Sequence, residues 1–125
     1  MTQARNLGAL ADFANSTGGL SNPTFTGYTE TVYALGTSGS IALNPANGTI
    51  QTCAAAGTVT FTSSINAGQS LVLMLTGGVA NTINWPTTTW VSSTGNIAPT
   101  LTASCTLVFW KVGSTLYGSL VGSYV

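Results

Sequence analysis

The sequence predicts an all-β fold: a single antiparallel β-sandwich or jelly-roll domain preceded by a short N-terminal helix or arm. Three observations predict it: short segments rich in β-branched and aromatic residues, glycine-containing turns about every ten residues, and no helical pattern between those segments. The length of 125 residues suits one such domain. We therefore divide the chain into an N-terminal docking arm, residues 1–22, and a β-sandwich domain, residues 23–125.

The first expected element is a helix within residues 3–15. Leu7, Leu10 and Ala14 recur at helical spacing, and Phe13 widens the same apolar face. A helix of about three turns is marginal alone in water, so it must dock on another surface to be stable. The residues that we expect to make this contact are Arg5, Leu7, Leu10 and Phe13.

Nine strands are expected after the arm. Alternation of polar and apolar residues at 58–62 turns Val59 and Phe61 toward a core. Tight hairpins are expected at Gly77-Gly78 and at Gly113-Ser114. No fixed-period repeat is present, so a solenoid is not expected. The expected strands are residues 29–35, 40–43, 49–54, 58–62, 70–76, 81–85, 88–91, 106–111 and 115–121.

One of these strands is apolar at every position. Residues 71–75 read Leu-Val-Leu-Met-Leu, and a strand of this kind needs cover on both of its faces. We place it at the centre of the fold or at an interface between subunits. The candidate subunit-interface residues are Leu71, Leu73 and Leu75.

Charge is almost absent from the chain. Only 3% of the residues are charged, where an ordinary soluble protein carries about a quarter. Copies with so little charge repel one another weakly and associate readily. Two cationic residues also argue against binding to nucleic acid or to an anionic membrane. No spanning apolar segment or signal peptide is evident, so we expect synthesis in a cytoplasm.

The residue types needed for catalysis are missing as well. The chain has no histidine, and its two carboxylates, Asp12 and Glu30, lie on opposite sides of the expected linker. Cys53 and Cys105 have no imidazole to activate them and are too few for a zinc site. We therefore expect no enzyme activity, catalytic residue, metal or cofactor. In a reducing compartment we expect two buried free thiols rather than a disulfide.

Aromatic residues are the remaining candidates for recognition. Trp85 and Trp110 are expected in the core, whereas Trp90 follows a run of threonines and is the better candidate for the surface. The candidate surface-recognition residues are Trp90, Tyr117 and Tyr124.

Six short segments carry a resemblance to a known group of proteins: residues 44–48 (NPANG), 68–75 (GQSLVLML), 83–86 (INWP) with Trp90, 98–101 (APTL), 109–113 (FWKVG) and 116–118 (LYG). Together they resemble small β-domains in structural proteins of tailed bacteriophages, which occur as head decoration proteins and at the ends of tail-fibre-like chains. The opening residues 3–8 also look like the short leaders of such domains. The resemblance implies a β-sandwich, usually trimeric, without a catalytic role, in a protein synthesised in a bacterial host.

Two functions follow as hypotheses. The first is a capsid decoration, or cement, protein: a homotrimer on the exterior of the virion whose arm binds the major capsid protein. The second is a tail-fibre-like or receptor-binding tip that attaches to a host surface glycan through Trp90, Tyr117 or Tyr124. The few residues before Pro23 leave little room for a fibre shaft, which favours the first hypothesis.

Overall fold

Nine strands form the described part of the chain, residues 22–125 of a computed structural model. About 47% of these residues are in strands and none is helical, so the expected mostly-β fold is confirmed. The helix expected within residues 3–15 lies outside the described residues. The strands are β1 (Val32–Ala34), β2 (Gly39–Leu43), β3 (Ile50–Ala54), β4 (Thr58–Ser63), β5 (Ser70–Thr76), β6 (Thr82–Asn84), β7 (Thr89–Trp90), β8 (Ser104–Val112) and β9 (Thr115–Ser123).

Successive strands alternate between two sheets. Strands β1, β3 and β5 stack in parallel in one sheet, and β2, β4 and β6 stack in parallel in the other. The chain thus winds through three successive coils, each of which contributes one strand to each sheet: β1 and β2, β3 and β4, and β5 and β6. After them, β8 and β9 add an antiparallel hairpin next to β5. The first sheet has six strands in the order β1-β3-β5-β8-β9-β7, and the second has three.

This arrangement corrects the expected antiparallel sandwich, because most of the pairings are parallel. The spacing of the parallel pairs agrees with the absence of a fixed-period repeat in the sequence. Paired residues in the six-stranded sheet lie 18 and then 22 positions apart, as in Val32 with Ile50 and Ile50 with Val72. In the three-stranded sheet the separations are 20 and 24. The coil therefore has no constant period, because the turns at its corners differ in length.

The two expected glycine hairpins have different outcomes. Gly113 and Ser114 do join β8 to β9 in a two-residue turn, with Val112 paired to Thr115. Gly77 instead leads from β5 into the other sheet, so β5 and β6 are not a hairpin. Its φ of 75° favours glycine, and a Cβ there would lie 2.7 Å from the carbonyl oxygen of Ala55 in the preceding coil.

One apolar core fills the space between the sheets. Val59 and Phe61 of β4 face it, as the alternation at residues 58–62 predicts. Across from them, alternate residues of β5 and β8 are buried, including Leu73 and Leu107, which pair with each other. Each strand therefore contributes one buried row and one outward row of side chains.

The Asn81 side chain connects two successive turns of the chain through hydrogen bonds. Its Oδ1 accepts a hydrogen bond from the Gly57 N–H at 2.5 Å. Its Nδ2 donates to the carbonyl oxygens of Ala55, at 3.0 Å, and Gly77, at 2.7 Å. One side chain thus satisfies three backbone groups that the turns leave without strand partners.

We expect Asn81→Ala to lower the free energy of unfolding by about 2–3 kcal/mol, because it leaves these three backbone groups without their partner. Asn84→Ala is the matched control: Asn84 is exposed and donates only one long side-chain bond, 3.3 Å, to Thr60. That change should cost less than about 0.5 kcal/mol. Urea unfolding of both variants measures the difference, and equal stability of the two would contradict the role of Asn81.

Candidate assembly surface

The outward side of the six-stranded sheet carries a continuous aliphatic row. Val32 of β1 pairs with Ile50 of β3, Ile50 with Val72 of β5, and Val72 with Val108 of β8. Paired residues in neighbouring strands point to the same side of a sheet, so these four side chains lie next to one another. Val32, at the end of the row, is 61% exposed.

Two further rows flank the aliphatic one. Met74 pairs with Thr52 on one side and with Thr106 on the other. In the other row, Trp110 pairs with Tyr117, and their rings stack with centroids 5.7 Å apart and an interplanar angle of 14°. We call these outward residues together the outer sheet face: Val32, Ile50, Thr52, Val72, Met74, Thr106, Val108, Trp110 and Tyr117.

The outer sheet face has no charged member. Glu30 and Lys111 are the only charged residues between positions 22 and 125. Glu30 precedes β1, and Lys111 lies next to Trp110 in β8 and so points to the opposite side of the sheet. Lys111 lines a separate groove with Pro86. The face therefore offers only apolar and hydroxyl-bearing side chains.

The outward side of the three-stranded sheet has the opposite character. Ser40, Thr60 and Asn84 form one exposed row, and Thr58 pairs with Thr82 beside it. Hydroxyl and amide groups hydrogen-bond to water without carrying charge. The molecule thus has one face suited to water and one face that is apolar.

The three expected interface leucines lie on the other side of their strand from the outer sheet face. Leu71, Leu73 and Leu75 are each at most 1% exposed and belong to the core of the single chain. Val72 and Met74, between them, point outward and are half-buried. The apolar surface that β5 offers to a partner is therefore formed by Val72 and Met74, because the leucines are already covered by the second sheet.

Trp90 and Trp110 exchange their expected places, whereas Trp85 packs against the core as expected. Trp90 is only 8% exposed and packs against Trp85 and Phe109, with ring centroids 5.5 Å and 5.8 Å away. Gly118 makes room for it, since a Cβ there would lie 2.9 Å from Trp90 Cζ3. Trp110 is half-buried on the outer sheet face instead. Alternation in β8 reveals this placement, because Phe109 and Trp110 are neighbours and only one can face the core.

The remaining candidate residues do not converge on one site. Tyr117 lies near the β8–β9 turn, stacked on Trp110. Tyr124, 45% exposed, follows the far end of β9, where its N–H donates to the Ser104 carbonyl at 3.2 Å. The docking-arm residues Arg5, Leu7, Leu10 and Phe13 lie outside the described residues.

Both cysteines are buried free thiols, as expected. Cys53 and Cys105 each pair with Leu75, from opposite sides. Two strand spacings put their Cα atoms roughly 10 Å apart, beyond the roughly 7 Å limit for a disulfide. Burial raises the pKa of each thiol.

Residues 22–125 contain no cluster of three or more His, Cys, Asp or Glu side chains that would hold a metal ion. Within the same range, no helix has the length and apolarity to cross a membrane. No protein-family model, curated protein or solved structure matches the chain.

We expect neither thiol of the folded protein to react with iodoacetamide at pH 8, because both are buried and their raised pKa values leave little thiolate. Both should react in urea. Mass spectrometry of the alkylated chain counts the modified thiols. A non-reduced chain about 2 Da lighter than the reduced one would show a disulfide and contradict this pairing geometry.

We expect Trp90→Ala to lower the free energy of unfolding by about 3–5 kcal/mol, because it opens a cavity in the aromatic cluster. Tyr124→Ala removes an aromatic ring of similar size from an exposed position and serves as the control. Its effect should stay within about 0.5 kcal/mol. Unfolding monitored by circular dichroism measures both, and a stable, soluble Trp90→Ala chain would place Trp90 outside the core.

Proposed function

We propose that this chain is a non-enzymatic structural protein of a virus particle, a decoration protein that cements the capsid of a tailed bacteriophage. The observation that carries the proposal is the outer sheet face, an apolar and uncharged surface over which no strand of residues 22–125 packs. Such a surface is typical of a subunit that is completed by assembly. The segments that resemble phage β-domains support the choice of particle.

In this role, subunit contacts stabilise the head. Burying apolar surface contributes about 25 cal/mol for each Å² removed from water. Every added contact spreads the pressure of the packaged DNA over more bonds. The threonine-rich face of the three-stranded sheet would stay in water and keep the particle surface hydrated without charge.

The proposed partners are further copies of the chain, as a homotrimer, and the major capsid protein. We assign the capsid contact to residues 1–22, with Arg5, Leu7, Leu10 and Phe13 as its contacting side chains. The proposed location is the capsid exterior of the virion. The lack of histidine and the single carboxylate side chain between positions 22 and 125 support a role without catalysis.

A tail-fibre-like or receptor-binding tip is the second candidate, and one observation favours it. In the described chain, β1 and β2 each pair on one side only, at the same end of the coil. Coils of a preceding shaft could add to these free edges. Trp90 is buried and cannot stack on a glycan, so Tyr117 and Tyr124 remain as its candidate contacts.

Removing this protein from phage heads should lower the temperature at which they release DNA, and adding back the full chain should restore it. A chain with Leu10→Asp and Phe13→Asp should fail to restore it, because charge on the apolar side of the arm prevents docking. Ser16→Asp with Thr17→Asp adds the same charge nearby and should restore tolerance. DNA release is followed with a dye during heating. Unchanged tolerance after removal would contradict cementing.

Electron cryomicroscopy of intact particles separates the two candidates. Density for trimers on the head supports the decoration role, whereas density at the tail tip supports the second candidate. Binding of the purified chain to host cells, lost in Tyr124→Ala, would also favour the tip.

A further inference from the structure

The outer sheet face is large enough to form most of a specific interface. Six strands at about 4.8 Å spacing span roughly 24 Å, and the nine-residue strands β8 and β9 run roughly 30 Å. Shorter strands at the β1 edge bring the area to the order of 600 Å² per copy, against about 800 Å² per partner in a standard interface. Contact over this face would therefore be extensive.

The absence of charge on the outer sheet face indicates which partner it is suited to bind. In an assembly of identical chains, a charged residue at the contact is repeated in every copy, so charges of one sign gather around the symmetry axis and repel one another. The outer sheet face has no charged member and carries no such repulsion. Electrostatic complementarity adds specificity and association rate to contacts between different proteins, and this face offers no charge for it. It is therefore suited to a second copy of this chain.

The side chains on the outer sheet face are of the types found at the buried centre of a protein–protein interface. The aliphatic row from Val32 to Val108 crosses four strands, and the stacked Trp110–Tyr117 pair stands beside it. Aromatic side chains in such positions commonly contribute most of the binding free energy. Thr52 and Thr106 lie in the row of Met74, on the other side of the aliphatic row.

We infer that copies of this chain associate through the outer sheet face, with Val72, Val108 and the Trp110–Tyr117 pair at the centre of the contact. The inference rests on the proposed function in one respect, that the chain acts as an assembled subunit. It adds the surface and names the partner as a second copy of the same chain. The hydroxyl-bearing face of the three-stranded sheet stays in water.

A pair of matched variants of the full chain tests this. Thr106→Lys places a charge on the outer sheet face, on central strand β8. Thr60→Lys makes the same change on β4, the central strand of the other sheet. Sedimentation at micromolar concentration should show the wild type and Thr60→Lys as the same oligomer. The Thr106→Lys chain should be monomeric, with a dissociation constant at least 100-fold higher than that of the wild type, because its charge would be buried on association.

Two results would overturn the inference. One is a monomeric wild-type chain at micromolar concentration, which is also expected if residues 1–21 of the same chain cover the face. The other is a Thr106→Lys chain that remains as oligomeric as Thr60→Lys, which would place the contact elsewhere. Circular dichroism and heat unfolding establish that each variant is folded.

If Thr106→Lys does not fold, Val72→Thr with Val108→Thr replaces it, because these changes keep the shape of the side chains and remove apolar surface. We expect at least tenfold weaker association, and unchanged association overturns the inference. The oligomeric state is measured on the purified chain without phage particles, so the result does not depend on whether the chain decorates a capsid. An oligomer absent from phage heads would refute the decoration role alone, and a monomer found on heads would refute this inference alone.

Discussion

Parallel pairing between successive coils is the constraint on which the rest of the structure depends. Once β3 lies beside β5 with Gln51 opposite Leu73, the alternation of side chains decides which residues of these two strands face inward and which face outward. The residues in step with Leu73 enter the core, and those in step with Val72 form the outer sheet face. A shift of one residue would exchange the two rows. The core and the proposed contact surface are thus two results of one register.

Neutral amide side chains, rather than ion pairs, hold the corners of the coils together through hydrogen bonds to the backbone. Asn81 joins two turns, and Gln51, fully buried, donates from Nε2 to the carbonyl oxygens of Asn44 and Gly48 at 2.7 and 3.0 Å. Its Oε1 has no hydrogen-bond partner, which reduces the net gain from these bonds. Because neutral amides hold the turns, the chain can fold with very few charges, and both outward faces stay free of them.

The local sequence pattern predicted the positions of the strands well, but it did not predict which strands pair with one another. Residues 70–76 form a strand with the expected bounds, and each of the other expected strands overlaps an observed one. Pairing depends on contacts about twenty residues apart, and corners of unequal length hide that period. The burial of Trp90 could not be read locally either, because the space for it is provided by Gly118 on β9. The placement of Val72 and Trp110 outward, by contrast, follows from alternation alone.

The alternation of strands between two sheets also bears on how the chain folds. Apart from the β8–β9 hairpin, every pairing in the described chain joins residues at least 18 positions apart. Closing such loops costs entropy before any contact compensates for it, and folding is slow when contacts are distant in sequence. The β8–β9 hairpin is the one pairing of the described chain that closes a short loop. The coils have no such local contact from which to start, so their formation depends on closing long loops first.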